Sequence, residues 1–408
     1  MLSYNVAELK KKIDLSNNKV VLFGAGDIGE LANYSLNRLG ITVDFFCDND
    51  TRKHGKKYLG IEVISPENLA KLNKSINIFI SNNYVSLIST QLNKYGFKEI
   101  YNCAELLKKT DFSQSNEIKG LQPLKIERRI EYYRNMCLKD EYSSSGILNI
   151  KSLDVQITER CSLKCTNCSN LMQYYEKPVN SDLNQLFLAI ERLMSCVNKI
   201  YEFRVLGGDP FMNKELHKVI DELKKYNQVE KVIVYTNGKI VPKGLNLDCL
   251  KDKKVILDIT NYGEISNKHD EIIKVLEENK IAYSTTLTTV WTDSGRILPY
   301  QTETEEEKKK KFINCCNSDI LSILHGKLYR CPFSANATNL GAVPVDKTDI
   351  IDLCDKDTPI EDLKKKIKNL TYNKDFLTAC SYCNGRDYTV ANIKAAEQSK
   401  KPIEYKKV

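Results

Sequence analysis

The order of hydrophobic and polar positions predicts alternating strands and helices in the N-terminal quarter of the chain. Four apolar runs of strand length occur there: KVVLF, ITVDFFCDND, INIFIS and EIYNC. An amphipathic segment ending at Leu39 and the segment SLISTQLNKYG, both with helical periodicity, lie between these runs. Because strands separated by helix-length segments pair in parallel, residues 1–110 predict a parallel α/β sheet.

Polar stretches divide the rest of the chain. The segment 108–122, KKTDFSQSNEIKGLQ, marks the end of the first domain, and SSSG at 143–146 marks a second joint. Between them, LKIERRIEYYRNMCLKD has the character of a helix. Residues 111–150 are therefore interpreted as a linker that contains one helix.

A second series of strand–helix units begins at Leu153. Its strands LDVQIT, YEFRVL, VEKVIVYT and KKVILDIT alternate with helical segments and predict a full or partial parallel (β/α) barrel over 151–311. Active sites of such barrels lie at the carboxyl ends of the strands. From residue 312 the elements become shorter and rich in cysteine, which indicates a small metal-stabilised domain over 312–395, followed by a basic tail over 396–408.

Charge and hydropathy exclude several classes of protein. The 408 residues carry a net charge of +8, but 61 basic and 53 acidic residues are intermingled. The block EEEKKKK at 305–311 has no interleaved aromatic residues, so we interpret it as a solvated face and do not favour nucleic-acid binding. The apolar runs are far shorter than the ~20 residues of a membrane span. Without a signal-peptide pattern at the N-terminus, we expect a cytoplasmic protein with no membrane contact.

Fourteen cysteines without a secretion signal indicate metal or redox chemistry rather than structural disulfides. Cys161, Cys165 and Cys168 form a CxxxCxxC loop directly after the predicted strand LDVQIT. Thiolates are soft ligands that suit iron–sulfur clusters and zinc, and structural zinc sites generally use four protein ligands. Three local thiolates would leave one iron of a 4Fe–4S cubane open to another ligand. A zinc knuckle or a chance grouping of thiols is the alternative.

Four later cysteines form a second candidate site. Cys316 and Cys331 flank a predicted hairpin, and Cys380 and Cys383 form a CxxC pair. Four thiolates satisfy either a closed zinc site or a complete 4Fe–4S cluster, and the spacing alone leaves both open. The spacing also cannot separate Cys316 from its neighbour Cys315.

A glycine loop follows the first predicted strand and opens a helix. Its glycines are Gly24, Gly26 and Gly29, and Asp48 ends the next strand. Glycines in this position allow a tight turn and close approach of a phosphate to a helix N-terminus, and the acid can bind a ribose hydroxyl. A docking domain with an empty cleft is the alternative.

Two pairs of polar residues also stand near predicted strand ends. Thr236 and Asn237 occupy a turn, although Asn-Gly is an ordinary turn dipeptide. Asp258 and Thr260, two residues apart in VILDITNYG, share one face of a strand. These residues are candidates for cofactor or substrate contacts, while a solvent-facing alternation on an edge strand explains the second pair equally well.

The central region resembles the radical S-adenosylmethionine (radical SAM) superfamily. The resemblance is carried by LDVQITERCSLKCTNCSN, LGGDPF and VYTNG. It implies that the open iron binds the methionyl amine and carboxylate of S-adenosylmethionine. Gly207, Gly208 and Asp209 would occupy the place of the family's GGE turn, which receives the methionyl ammonium. Asn167 stands where the family usually has an aromatic residue.

Resemblances of the two flanking regions suggest a function. The C-terminal cysteine pattern resembles the twitch domain, a shortened relative of the SPASM domain, which implies a second, auxiliary 4Fe–4S cluster. The N-terminal region resembles Rossmann-like nucleotide-sugar-binding domains of sugar acyltransferases and other polysaccharide enzymes. The expected fold is thus α/β, with an N-terminal Rossmann-like domain, a central partial (β/α) barrel and a small C-terminal iron–sulfur domain.

These features predict a radical SAM enzyme of the oxidoreductase or epimerase type. It would take hydrogen from a sugar or nucleotide-sugar in polysaccharide or natural-product biosynthesis, with flavodoxin or ferredoxin as the reductant. Two alternatives stay open at this point. The protein could be a peptide-modifying maturase of the SPASM type, or a non-catalytic iron–sulfur electron carrier.

Overall fold

The computed structural model describes residues 4–113, 123–138, 142–143, 145–387 and 389–408. It divides into two compact units, 1–141 and 142–408, and each is considered by itself. No helix among the described residues is both long and apolar enough to cross a bilayer.

The first unit is built on a six-stranded sheet. Its strands are β1 (Val20–Phe23), β2 (Phe45–Cys47), β3 (Lys57–Tyr58), β4 (Ile61–Ile64), β5 (Asn77–Ile80) and β6 (Ile100–Asn102). Their order is β3-β4-β2-β1-β5-β6, and every pair is parallel except β3 with β4. Because the order runs outwards in both directions from β1 and β5, the switch point of the sheet lies between these two strands, and in α/β sheets ligands commonly bind at the carboxyl ends of the strands there. The predicted parallel α/β sheet is confirmed.

Helices cover the strands of this first sheet. They span Val6–Ser16, Asp27–Arg38, Pro66–Ala70, Val85–Lys94, Ala104–Lys109 and Pro123–Cys137. Strands β1 and β5 are buried along their whole length, which explains why they read as continuous apolar runs rather than as alternating patterns.

The helix Pro123–Cys137, assigned to a linker on sequence grounds, packs into the first unit. Tyr133 on this helix is fully buried, and its hydroxyl donates to the carbonyl of Ile80 and accepts from the amide of Cys103 at 2.9 Å. A buried phenol needs such partners, and these belong to the sheet. Residues 114–122 of the polar boundary segment, and Ser144 of the second joint, lie outside the described residues.

The second unit is built on an eight-stranded sheet. Its order is β11-β10-β9-β8-β7-β13-β14-β15. The strands are β7 (Asn149–Thr158), β8 (Lys199–Gly207), β9 (Val229–Thr236), β10 (Val255–Asn261), β11 (Tyr283–Leu287), β13 (Ile320–Leu324), β14 (Lys327–Tyr329) and β15 (Ile350–Asp352). Strands β7 to β11 and β13 are parallel, and β14 and β15 run antiparallel. A separate pair joins β12 (Val290–Thr292) to β16 (Asn392–Lys394).

This sheet confirms the predicted partial barrel. Its helices span Leu183–Met194, Leu216–Leu223, Leu245–Asp248, His269–Glu278, Glu305–Asn314, Pro332–Asn339 and Ile360–Tyr372. Strand β13 comes from the cysteine-rich region and pairs in parallel with β7. Since β13 is buried throughout, it can join the sheet as a central strand, and the cysteine-rich region shares one core with the barrel.

Local signals explain where the helices begin. The Asp182 carboxylate accepts from the amide of Gln185 at 2.8 Å and caps the helix Leu183–Met194, whose apolar face is buried. Thr304 and Glu307 form a reciprocal capping box at the start of Glu305–Asn314. The predicted solvated block EEEKKKK is therefore a capped helix.

Candidate active site

A cavity of about 240 Å³ opens at the carboxyl edge of the second sheet. One wall is the cysteine loop that follows β7, and the opposite walls are the turns after β8 and β9. Cys161, Cys165 and Cys168 all border it. Parallel strands bring their carboxyl ends to one edge of a sheet, so segments distant in sequence meet there.

Two glycines bring the turn after β8 into contact with the cysteine loop. The amide of Gly208 donates to the carbonyl of Thr158, and that of Asp209 donates to the carbonyl of Arg160, both at 2.9 Å. A Cβ atom at Gly207 would collide with the Thr158 carbonyl, and one at Gly208 would collide with that of Arg160. Gly207 also has a φ of +148°. Both glycines are therefore required to hold the cysteine loop against β8.

The three thiols of the loop interact electrostatically. Burial raises the pKa of Cys161, raises that of Cys165 to about 12, and raises that of Cys168. The negative charge of a neighbouring thiolate adds to the increase at Cys161 and Cys165. Bound iron would offset both penalties, because metal ligation requires the deprotonated form. Three soft donors gathered on one cavity wall fit a 4Fe–4S cluster.

Asp209 lies behind this wall rather than on it. The residue is 0% exposed. Its carboxylate accepts from the amide of Phe211 at 3.0 Å, the hydroxyl of Thr236 at 2.9 Å and the amide of Asn237 at 3.1 Å. The side chain thus ties the turn after β8 to the turn after β9. This conformation does not present the Asp209 carboxylate to the cavity. A contact of Asp209 with the methionyl ammonium therefore stays a prediction.

The structure brings three of the four polar strand-end candidates to the cavity, and Asp258 is not among them. Thr236, Asn237 and Thr260 border the cavity. The side-chain Nδ2 of Asn237 lies 3.6 Å from the Sγ of Cys161. Asp258 is buried and accepts from the hydroxyl of Ser284 on β11 at 3.0 Å. Its carboxylate therefore contributes to the pairing of β10 with β11.

Charged groups on the cavity wall were missed by sequence reasoning. Asp154 on β7 and Arg204 on β8 are register partners, and Arg204 Nε donates to the Asp154 carboxylate at 2.6 Å. The guanidinium of Arg204 also lies over the ring of Tyr235, 5.4 Å from its centroid. The available signal was a charged residue inside each of two predicted strands, Asp154 in LDVQIT and Arg204 in YEFRVL, because buried charges are usually paired.

The second group of cysteines surrounds a smaller cavity of about 40 Å³. Cys315, Cys331, Cys380 and Cys383 line it, whereas Cys316 is exposed. The structure thus places Cys315, and not the predicted Cys316, among the four thiols. Burial raises the pKa of each, to about 12 for Cys315 and Cys380.

Lys311 holds the CxxC turn in this position. Its ammonium donates to the carbonyls of Cys380 at 3.2 Å and Cys383 at 3.0 Å. Within the described parts of the chain, no group of three or more His, Cys, Asp or Glu side chains converges so as to hold a single metal ion. The four thiols line the walls of a cavity rather than converging on one point.

Comparisons with known proteins add family information. Residues 155–272 match the family described as "4Fe-4S single cluster domain", and residues 16–100 match the family described as "C2185-like, N-terminal". GTP 3',8-cyclase of Clostridium acetobutylicum is 31% identical over 145 residues, which are 32% of this chain and 45% of that protein. These matches support a relationship of the central region to the radical SAM superfamily. It spans less than half of the length of the curated relatives that it matches.

Two solved structures are similar to part of this chain. The structure of anSMEcpe with bound AdoMet and Cp18Cys peptide is 14% identical, covers 55% of this chain and 82% of its own, and has a TM-score of 0.39. The structure of BtrN in complex with AdoMet and 2-DOIA is 16% identical, covers 58% of this chain and 93% of its own, and has a TM-score of 0.35.

The match of residues 155–272 to a 4Fe–4S domain, together with the radical SAM relationship, supports a 4Fe–4S cluster and S-adenosylmethionine as cofactors. The loop Cys161–Cys168 lies within the matched family region and supplies the thiols that fit this cluster. With three protein ligands, one iron of such a cluster would keep a free coordination position. The assignment of individual ligands stays a prediction and is tested below.

The glycine loop of the first unit has a definite geometry. Gly24 has a φ of +128°, and a Cβ there would lie 2.5 Å from the carbonyl oxygen of Ser81. A Cβ at Gly29 would collide with the Gly24 carbonyl, whereas at Gly26 it would meet nothing within 4 Å. Gly24 and Gly29 therefore serve the packing of β1, β5 and the following helix, and Gly26 faces open space.

Asp48 is engaged within this loop. Its carboxylate accepts from the amide of Ala25 at 2.9 Å and from the ammonium of Lys53 at 2.8 Å. The same ammonium donates to the carbonyl of Ala25 at 2.9 Å. The carboxylate is thus already engaged by partners within the protein. A contact between Asp48 and a ribose stays a prediction.

Proposed function

We propose that this protein is an enzyme that cleaves S-adenosylmethionine reductively and takes a hydrogen atom from a sugar or nucleotide-sugar. The observation that carries the proposal is the cavity that joins the thiols of Cys161, Cys165 and Cys168 to the polar carboxyl edge of the second sheet. Dehydrogenation or epimerisation is the proposed outcome, with flavodoxin or ferredoxin as the electron donor.

When bound, the cofactors would supply the chemistry: an electron from the cluster would break a carbon–sulfur bond of S-adenosylmethionine, giving methionine and a 5′-deoxyadenosyl radical. The chain's own residues position and shield this step. Tyr262 and Trp291 contact the thiol loop and meet edge to face, with their ring centroids 5.5 Å apart. Thr236, Asn237 and Thr260 offer hydrogen-bonding groups on the same cavity. Aromatic walls limit access of water to a reactive carbon radical.

Two arginines on the cavity favour a polar substrate with an anionic group. Arg204 is paired with Asp154. Arg386 borders both the main cavity and the cavity of the second cysteine group, and its Nε is buried without a hydrogen-bond partner among the described residues. A guanidinium can hold a phosphate or carboxylate through two parallel hydrogen bonds. The phosphate of a nucleotide-sugar would satisfy Arg386.

Anaerobic turnover tests the proposal. With a strong reductant and S-adenosylmethionine, the reconstituted protein should release 5′-deoxyadenosine slowly, and faster when its substrate is present. Liquid chromatography of reactions with UDP-, GDP- and dTDP-sugars measures this stimulation. If a peptide rather than any sugar accelerates release, the substrate assignment is wrong. If no 5′-deoxyadenosine forms from protein with an intact cluster, the electron-carrier alternative is favoured.

The first unit is proposed to bind the nucleotide or nucleotide-sugar through the glycine loop. Gly26 is the N-cap residue of the helix Asp27–Arg38. The backbone N–H groups at this end of the helix favour an anion. The Lys53 ammonium stands at the same loop. Asp27 and Glu30 in the first turn oppose an anion, and the guanidinium of Arg129, 2.9 Å from the Asp27 carboxylate, offsets part of this effect.

Replacing Gly26 by valine should abolish nucleotide binding while leaving the fold of the first unit intact. A Cβ at this position meets no protein atom within 4 Å, so only a ligand would be displaced. In a thermal-shift panel, a nucleotide at a hundredfold excess over its dissociation constant should stabilise the wild type by about 2.7 kcal/mol and the variant by nothing. A variant that binds as tightly as the wild type would exclude the loop as the binding site.

A further inference from the structure

The C-terminal segment lies along the first cysteine loop. The amide of Thr166 donates to the carbonyl of Glu397, and the amide of Ser399 donates to the carbonyl of Lys164, both at 2.7 Å. Cys165 and Gln398 form an antiparallel bridge. Residues 396–408, interpreted from their composition as a basic tail, thus begin by pairing with the loop that carries the cluster thiols.

The side chain of Gln398 contacts the sulfur of Cys165. Its Nε2 donates to Cys165 Sγ at 3.2 Å and to the carbonyl of Ala396 at 2.6 Å. Its Oε1 accepts from the amide of Lys164 at 2.9 Å. Because a backbone amide can only donate and a carbonyl can only accept, these two partners determine which end of the glutamine amide faces the sulfur.

Contacts on both sides of Gln398 keep it in place. Ala396 is fully buried with a φ of +54°. Downstream, the amide of Ile403 donates to the carbonyl of Gln173 at 2.9 Å, and the ring of Tyr405 packs edge to face on Tyr174 with centroids 5.4 Å apart. The amide group is therefore preorganised, which gives its hydrogen bond to sulfur a small entropic cost.

We infer that Gln398 is a positioning residue that donates a hydrogen bond to the Cys165 ligand of the 4Fe–4S cluster and raises its reduction potential. Reduction adds negative charge to a cluster and its sulfur ligands, and an N–H donor stabilises that charge. The same segment covers Cys165, which is 7% exposed. The inference rests on the radical SAM assignment of Cys165, and it is independent of the substrate proposed above.

Substitution of Gln398 tests this directly. In an anaerobic redox titration followed by electron paramagnetic resonance, the first cluster is identified as the signal that changes when S-adenosylmethionine is added. We expect Gln398→Met, which lacks a donor but keeps the chain length, to shift the midpoint of that signal to a more negative potential. Gln398→Glu should shift it further, since a carboxylate would oppose the added charge. Iron content should stay at the wild-type level in both variants.

Ser399→Ala is the matched control. The Ser399 hydroxyl donates to the carbonyl of Lys401, and the substitution keeps the backbone pairing of Ser399 with Lys164. This variant should titrate like the wild type. An unchanged midpoint in Gln398→Met with full iron content, or an equal shift in Ser399→Ala, would overturn the inference.

A measurement on the wild-type protein covers the case in which the variants lose iron. Protein labelled with ¹⁵N in the glutamine side chain should show a nitrogen coupled to the reduced first cluster in pulsed electron paramagnetic resonance. Absence of that coupling would contradict the contact between Gln398 and the ligand. Because this measurement needs neither substrate nor 5′-deoxyadenosine, its outcome is separate from that of the proposed function.

Discussion

Replacing Cys161, Cys165 and Cys168 together by alanine should abolish 5′-deoxyadenosine formation. It should also lower the iron content of the reconstituted protein from about eight atoms per chain to roughly four, if both cysteine groups hold cubanes. The reason is geometric: the three thiols form one wall of the main cavity, while the second group lines a separate cavity. Without its ligands, the first cluster cannot assemble or donate an electron.

Colorimetric iron analysis and chromatography of the reaction products measure both effects. Cys354→Ala serves as the control, because Cys354 is a half-buried thiol bonded to the carbonyls of Gln185 and Gly326. It should keep wild-type iron and activity. Formation of 5′-deoxyadenosine by the triple variant would show that the first loop is not the site of cleavage.

Replacing Cys315 by alanine should remove the second cluster, whereas replacing Cys316 should leave it in place. We expect roughly four irons per chain for Cys315→Ala and about eight for Cys316→Ala. Cys315 lines the cavity beside three other partly buried cysteines, and Cys316 is exposed with its sulfur near the side chain of Asn317. The two neighbouring residues therefore provide a matched pair with the same substitution.

Metal analysis decides the identity of this second site. Stoichiometric zinc, without iron beyond the first cluster, would refute the auxiliary cluster and leave the first site untouched. Loss of metal in Cys316→Ala but not in Cys315→Ala would show that the chain rearranges around Cys316. Neither outcome would affect the 5′-deoxyadenosine assay of the first cluster.

Much of the main site follows from local sequence patterns. The strand LDVQIT predicts β7, and the CxxxCxxC loop follows it directly, so three thiols must emerge at the carboxyl edge of the sheet. The turns at Gly207 and Thr236 follow the next two strands in the same way. Parallel pairing then brings all of these segments together, because successive strands of a partial barrel present the same end.

These patterns do not predict the direction in which a side chain points. The motif containing Asp209 predicts a carboxylate near the cofactor, but its direction depends on where the turn after β9 lies. In the structure, the amide of Asn237 and the hydroxyl of Thr236 supply donors within 3.1 Å, and the carboxylate points to them. A buried charge takes the nearest available donors, and these come from another strand.

Local sequence patterns predicted the series of strands, the position of the cysteine loop and the radical SAM resemblance of the central region. These features depend on the period of the hydrophobic positions and on short spacings between residues, and both can be recognised in the sequence. Only the tertiary structure decided between Cys315 and Cys316, buried Asp209 behind the cavity, and placed Gln398 on Cys165. Each depends on partners from distant parts of the chain: Gln398 is 233 residues from Cys165 and meets it only because the C-terminal segment pairs with the loop.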